Sequence, residues 1–327
     1  MSLNEKIANI IKRCQKESSC NFEVRYNEPM SLHTTFKTGG PADCWIKPTG
    51  DSFPVFTAAL MKEAKIESVP VFFFGGGANI LVADAGIHGI VVDMGGWTGE
   101  NIDLQRDKLN GRKNTVLVFY SGTKLDDAAE IAAENDLSGL EFLAGMPGTI
   151  GGAVWMNARC YGCEIADVLG EIEMINFNGT EPVLVWRTVY KAEFGYKFSP
   201  FQNMDALILS ASFRLIPGNR EKIRAKMETH RKDREEKGHY RFPSAGSVFK
   251  NSPFFGRPSG KIIDDLGLRG LQTGGAQVAP WHGNIIINTG GASSSDIRAL
   301  IDDVAARVKS KEGFSLEPEI LFLGEWE

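Results

Sequence analysis

The sequence predicts an α+β fold in two parts, on three observations. The first two-thirds of the 327 residues alternates helical and strand-like patterns. Pro217-Gly218-Asn219 then breaks the pattern and opens a very highly charged segment, Arg220 to Lys237. Beyond it, short strands precede one clear amphipathic helix. A chain of this length can bury its cores without disulfides or structural metals. The break sets the expected domains at 1–216 and 217–327.

The elements follow in order. The N-terminus, MSLNEKIANIIKRCQKESSC, is amphipathic and charged rather than built as a secretory signal. No stretch approaches the length of a membrane span, so a cytoplasmic protein without membrane insertion is expected. Phe53 to Lys65 reads as a helix. Val69-Pro-Val-Phe-Phe-Phe runs straight into Gly75-Gly76-Gly77, a buried strand opening into a glycine loop, and Ile87 to Met94 gives another strand. A Rossmann site would place a helix directly after those glycines, and here a strand follows instead. Leu125 to Asn135 is an Ala-rich helix stopped near Gly139, and Pro147 to Gly152 is a second glycine-rich turn. Glu171 to Phe177 and Leu207 to Leu215 read as strands, and Arg220 to Lys237 as a charged helix. In the last third, a glycine-rich strand surrounds Ser247 and a short strand lies near Asn284 to Ile287. The final helix is capped by Ser293-Ser294-Ser295-Asp296 and carries Ile297, Leu300, Ile301, Val304 and Val308 at helical spacing.

With 36 basic and 41 acidic residues, the net charge of −5 argues against a nucleic-acid partner held by bulk positive charge. Any anion must be bound by local groups. Five cysteines, at 14, 20, 44, 160 and 163, are an odd and scattered set that fits a reducing compartment. Cys160-Tyr161-Gly162-Cys163 has redox or zinc spacing, but no second pair or His cluster completes four ligands. Two ordinary thiols in a loop are the reading adopted, with no metal site.

Glycines after a strand let backbone N–H groups converge on an anion, because no Cβ blocks close approach. Gly75, Gly76, Gly77, Ala78, Asn79, Ile80 and Leu81 form one such loop. Gly145, Pro147, Gly148, Thr149, Gly151, Gly152 and Ala153 belong to the other. Two such loops suit a pyrophosphate, and charge alone does not tell FAD from NAD.

The order and spacing of these loops resemble the UDP-N-acetylenolpyruvoylglucosamine reductase family, within the vanillyl-alcohol-oxidase-like flavoproteins. Thr34-Thr35-Phe36 with Gly39-Gly40-Pro41-Ala42 resembles the family's entry motif. GGGANILVAD, Ser121-Gly122 and EFLAGMPGTIGGAVWMNA continue it, and AGSVFKN, SGKIIDDLGLRGLQTGGAQV, HGNIIIN and LEPEILFLG complete it, across roughly residues 30 to 325. The resemblance implies an FAD-binding domain of the vanillyl-alcohol-oxidase/PCMH type with two α/β subdomains, followed by a smaller α+β substrate-binding domain. It implies non-covalent FAD, held by the two loops with Thr35, Ser121 and Gly122, and NADPH as hydride donor.

The implied reaction reduces the enolpyruvyl ether of UDP-N-acetylglucosamine enolpyruvate to the lactyl ether of UDP-N-acetylmuramate, a peptidoglycan precursor. Hydride adds at C3, and the charge developing at C2 needs stabilisation and a proton. By the family motif that proton comes from Ser247, in Gly246-Ser247-Val248-Phe249-Lys250, and Glu319 is the active-site glutamate, with Glu317 the lesser candidate. Tyr196-Lys197-Phe198-Ser199 stands where the family has Tyr-Arg-x-Ser, so Lys197 takes the arginine's place and loses its bidentate fork. Arg159 replaces a usual glycine, and is read as a surface arginine rather than a substitute for the missing one. Lys250, Lys261, Asn251 and Gln277 are the UDP-site candidates by motif position, with Tyr196. The 51-residue interval from Tyr196 to Ser247 resembles the shorter form of the family, without an extra tyrosine loop. The alternatives are an FAD-linked oxidase of the same larger fold, and a catalytically impaired flavin-binding paralogue. The sequence does not fix the oligomeric state, and a monomer is the working expectation.

Overall fold

The computed structural model describes residues 1–103 and 115–326. Its elements form an α+β fold that divides into two compact units. One takes Met1–Arg25, Cys44–Gly76 and Gly89–Lys232, and the other Tyr26–Asp43, Gly77–His88 and Asp233–Glu327.

In the first unit, the Leu3–Glu17 helix starts at a capping box, with Ser2 and Glu5 bonding each other's backbone N–H. Its buried face, Ile7, Ile10, Ile11 and Cys14, shares a core with Phe53, Phe56 and Leu60 of the Phe53–Glu67 helix. A four-stranded sheet runs in the order Asn21–Pro29, Pro41–Thr49, Ile87–Asp93, Val71–Phe74, and its last two strands are parallel. A second sheet runs Val183–Thr188, Leu169–Asn176, Ala206–Pro217, Thr115–Tyr120, Glu100–Asp103, with Leu137–Ser138 paired to the long central strand. The Leu125–Glu134 and Ile150–Met156 helices pack on this sheet through Ala128, Ala129, Ala132, Ile150 and Val154, against Leu117, Phe119 and Phe213.

In the second unit an antiparallel sheet runs Ser244–Ser247, Ile285–Asn288, Ala276–Val278, Gln272–Thr273. Leu321–Leu323 pairs in parallel with Ile80–Val82. The Ser294–Glu312 helix buries the five aliphatic side chains expected of it, each contributing about 1.5–3 kcal/mol by leaving water. Ser293 caps its start, and the Asp84 carboxylate accepts the Ser294 and Ser295 N–H groups, both at 2.8 Å.

Two expectations shift. The strand Ala206–Pro217 runs through the position taken as the domain break, because Ile216 and Pro217 pair with Ser138 and Leu137. The compact division falls at Lys232/Asp233, within the Arg220–Glu236 helix. The second unit also takes 77–88, since Ile80–Val82 finds its strand partner near the C-terminus, and 26–43, whose Gly40 N–H donates to the Ala83 carbonyl and whose Phe36 carbonyl accepts from Asn288 Nδ2. The turn expected over Pro147–Gly152 ends at Thr149, and Gly151 and Gly152 lie inside a short helix.

Candidate active site

In the first unit the Val71–Phe74 strand delivers Gly75 and Gly76 against the second glycine loop. A Cβ on Gly75 would lie 2.6 Å from Thr149 Oγ1, and one on Gly76 2.8 Å from Gly148 Cα. A Cβ on Gly151 would meet that of Ser121 at 2.7 Å, and one on Gly122 the Met94 carbonyl oxygen at 1.8 Å. Only glycine allows backbone to approach backbone so closely. The expectation that these loops turn their N–H groups to an anion holds only in part. Gly145 N–H donates to Asp126 Oδ1 at 2.7 Å, Ile150 N–H to the Thr123 carbonyl at 2.9 Å, and Gly151 N–H to the Ser121 carbonyl at 2.8 Å. These three groups build the cradle's walls. Ser121 Oγ and Thr149 Oγ1, by contrast, are buried beside the same glycines with no bond to protein. A buried hydroxyl left without a partner costs free energy, and two at one glycine-lined place fit a bound group rich in acceptors, as the phosphates of FAD are. Pro147, Gly152 and Ala153 complete the loop.

Tyr196 and Lys197 lie in the same unit, on a tight turn closed by the Gly195–Phe198 bridge. Lys197 has φ +55°, a left-handed conformation uncommon for a side-chain-bearing residue. Its carbonyl accepts from Gln202 Nε2 at 3.1 Å, while Asn157 Nδ2 donates to the Gly195 carbonyl at 2.9 Å. Asn157 is fully buried and itself left-handed at the end of the Ile150–Met156 helix, so the glycine loop and the lysine turn share one scaffold. Arg159 is exposed, opposite Glu164 in a two-stranded hairpin. Burial alone would raise the nearby Asp167 carboxyl, but the bonds from Lys191 and the Glu164 N–H, with the charges of Lys191 and Arg159, hold it below its ordinary range.

The second unit holds Thr35, Gly77 to Leu81, Ser247 and Glu319. Thr35 N–H donates to the Gly77 carbonyl at 3.1 Å. Asn79 Nδ2 donates to the Glu319 carbonyl at 3.1 Å, and Leu321 N–H to the Asn79 carbonyl at 2.9 Å. Ile80 and Leu81 pair with Leu321 and Phe322, and the Leu81 side chain is entirely buried in the core, so it shapes the strand rather than facing a ligand. Ser247 ends its strand, half-buried, opposite Ile285. Glu319 N–H donates to the Val248 carbonyl at 2.6 Å and Lys250 N–H to the Glu317 carbonyl at 2.9 Å, so Ser247–Lys250 and Glu317–Glu319 run side by side. Sequence reading left out Asn284, which holds this segment. Its Oδ1 accepts from Phe249 N–H at 2.9 Å, its Nδ2 donates to the Phe249 carbonyl at 2.8 Å, and its own carbonyl accepts from Val248 N–H. The HGNIIIN motif contained the signal.

The substrate-side candidates are engaged with protein. Lys250 Nζ pairs with Glu317 at 2.5 Å, and Lys261 Nζ with Asp265 at 2.7 Å on an exposed helix face. Asn251 Oδ1 accepts the Ser259 N–H at 2.8 Å, capping the Ser259–Asp265 helix, and Gln277 Nε2 reaches the Gly270 carbonyl at 3.3 Å. Among the described residues no group of three or more His, Cys, Asp or Glu could hold a metal.

Residues 238–323 match the model for the UDP-N-acetylenolpyruvoylglucosamine reductase C-terminal domain, and residues 57–183 match an FAD binding domain. A UDP-N-acetylenolpyruvoylglucosamine reductase of Treponema denticola is 41% identical over 314 residues, which cover 93% of this chain and 94% of that one. The chain belongs to the UDP-N-acetylenolpyruvoylglucosamine reductase family. Another member, from Caldanaerobacter subterraneus, is 37% identical over 98% of this chain and 100% of its own. The crystal structure of the Thermus caldophilus reductase covers 93% of this chain and 100% of its own, with TM-score 0.71 and 30% identity. Family membership makes the chain an FAD-dependent oxidoreductase, and it gives the unpartnered Ser121 and Thr149 hydroxyls a ligand of the right chemistry.

Proposed function

We propose that this chain reduces UDP-N-acetylglucosamine enolpyruvate to UDP-N-acetylmuramate, with NADPH as electron donor, as a cytoplasmic, monomeric enzyme of peptidoglycan synthesis serving cell shape and division. The observation that carries the reading is the 2.6 Å bond from Glu319 N–H to the Val248 carbonyl, which fixes the glutamate's segment against the residue following Ser247. FAD supplies the hydride-transfer chemistry when bound, and its candidate contacts are Gly75, Gly76, Ser121, Gly122, Gly148 and Thr149 with Thr35 and Gly77 to Asn79. Ser247 Oγ is the proton donor to C2 of the substrate. Its position at the end of a strand, tied through Val248 and Phe249 to the buried Asn284, holds the hydroxyl without consuming a long side chain's entropy. Glu319 is assigned to polarising the substrate carboxylate, with its backbone pinned on both sides by Val248 and Asn79. Lys197 supplies the positive charge to that carboxylate, as a point charge without arginine's fork. Lys250, Asn251, Lys261, Gln277 and Tyr196 are proposed for the UDP portion. Lys250 must then exchange its Glu317 carboxylate for phosphate, a modest cost because Glu317 is mostly exposed. The test is anaerobic: NADPH should bleach the yellow protein, and UDP-N-acetylglucosamine enolpyruvate should restore the colour. A flavin that stays reduced on adding that substrate would refute the reading.

A further inference from the structure

Cys160-Tyr161-Gly162-Cys163 forms a two-residue hairpin in the first unit, with Cys160 directly opposite Cys163 and Arg159 opposite Glu164. Positive φ at both Tyr161 (52°) and Gly162 (78°) is the conformation of a tight type I′ turn. At the hairpin's base, Ile165 N–H donates to the Ala158 carbonyl at 3.0 Å. Hydrogen-bonded and non-bonded pairs alternate along an antiparallel ladder, so two steps further Cys160 and Cys163 form a hydrogen-bonded pair. Such pairs stand about 5.5 Å apart at Cα, inside the ~4.4–6.8 Å range of disulfides, and their side chains leave the same face. Both cysteines are reduced and half-buried.

The hairpin is held at both ends. Tyr161 stacks on His230 with ring centroids 3.8 Å apart, and its hydroxyl donates to the His230 carbonyl at 2.9 Å. Asn157 Oδ1, just before its base, accepts the Ala166 N–H at 3.1 Å. The chain entropy that closing a disulfide normally removes is therefore already lost in the fold.

We propose that Cys160 and Cys163 are a reversible redox site, a dithiol that closes to an intramolecular disulfide by exchange with low-molecular-weight disulfides such as glutathione disulfide. One cysteine thiolate attacks a glutathione sulfur and expels glutathione thiolate, leaving a mixed disulfide. The second thiolate attacks the protein sulfur and expels the other glutathione. Two protein thiols are oxidised, one glutathione disulfide is reduced, and the two thiol protons end on the two glutathiones. The remaining cysteines are poor competitors, because the thiolate is the nucleophile. Cys14 is fully buried, and burial pushes its thiol up to about 12. Burial likewise raises the Cys20 thiol, and Cys44 is completely shielded from solvent.

The experiment incubates the flavin-loaded protein with glutathione disulfide, quenches in acid, alkylates in denaturant and maps the peptides by mass. The 160–163 peptide should lose both alkylation sites together, become two hydrogens lighter and carry no glutathione, with recovery in dithiothreitol. Cys163→Ser should instead accumulate a stable glutathione adduct on Cys160. A wild-type peptide that keeps both thiols, or that carries persistent glutathione adducts, would overturn the proposal.

Discussion

Gly76 shows how much of this molecule turns on single atoms. A methyl group there would lie 2.8 Å from Gly148 Cα, a backbone atom that cannot rotate away. Gly76→Ala should therefore part the two loops beside the Ser121 and Thr149 hydroxyls. The purified variant is expected to carry several-fold less flavin at an almost unchanged helix content, read from visible absorbance and circular dichroism. Lys197 separates conformation from charge, because its φ of +55° is one that glycine adopts freely. Lys197→Gly should fold at least as stably as wild type, yet lower kcat/KM by ~10²-fold or more, the scale of a lost electrostatic contact in a transition state. Arg159→Ala should leave turnover near wild type; the opposite ranking of these two variants would move the cationic role to Arg159. The motif holding Ser247 and Glu319 was visible in the sequence because both lie in short, locally ordered runs. Asn284 was not singled out, since its partner Phe249 is remote in sequence and the HGNIIIN run alone does not say which backbone its amide holds. For the same reason, the engagement of Lys250 with Glu317 and of Asn251 with a helix start emerged only from the fold.

At the level of elements, the Ser294–Glu312 helix was readable nearly to its ends, because a capping box and an apolar stripe at helical spacing agree. The edge strand Val183–Thr188 was not, since its apolar residues Val183, Leu184, Val185 and Trp186 run consecutively, so the sequence shows no apolar–polar alternation although Val185 alone of the four is partly buried. Nor did the helix itself announce that Asp84, from the first glycine loop's flank, closes its N-terminus. Burial alone would raise the Asp84 carboxyl, but bonds from Ser295 Oγ and the Ser294 and Ser295 N–H groups outweigh it and hold it below 3.8. A depressed carboxyl stabilises the fold above its unfolded value, and that stabilisation is lost as pH falls through the lower, folded value. Asp84→Ala should cost about 0.5–2 kcal/mol in urea unfolding at neutral pH, as lost helix caps do. The difference between variant and wild type should shrink as the pH is taken below 3.8. A constant gap across that range would show that the carboxylate's charge contributes nothing.

For the whole molecule, the α+β class and the sequence of glycine loops followed from the pattern alone, whereas the grouping of segments 26–43 and 77–88 with the C-terminal part did not. That grouping depends on parallel pairing of Ile80–Val82 with Leu321–Leu323, some 240 residues apart, and no window of sequence contains it. Global stability should also carry a histidine signature. Burial, with the neighbouring Arg234 charge, lowers His239 from 6.5 to about 4. The unfolded chain then takes up a proton that the folded one refuses, so stability should fall as pH drops from 6.5 towards 4. His239→Gln should flatten that decline in thermal melts, and an unchanged slope would locate the effect elsewhere. The proposed reaction turns on Ser247 as proton donor, and the most direct measurement is anaerobic stopped-flow on Ser247→Ala with each half-reaction followed separately. The account predicts flavin bleaching by NADPH near the wild-type rate and reoxidation by UDP-N-acetylglucosamine enolpyruvate slowed by ~10²–10⁴-fold, the usual worth of a positioned proton donor. Equal slowing of both halves, or none of either, would contradict it.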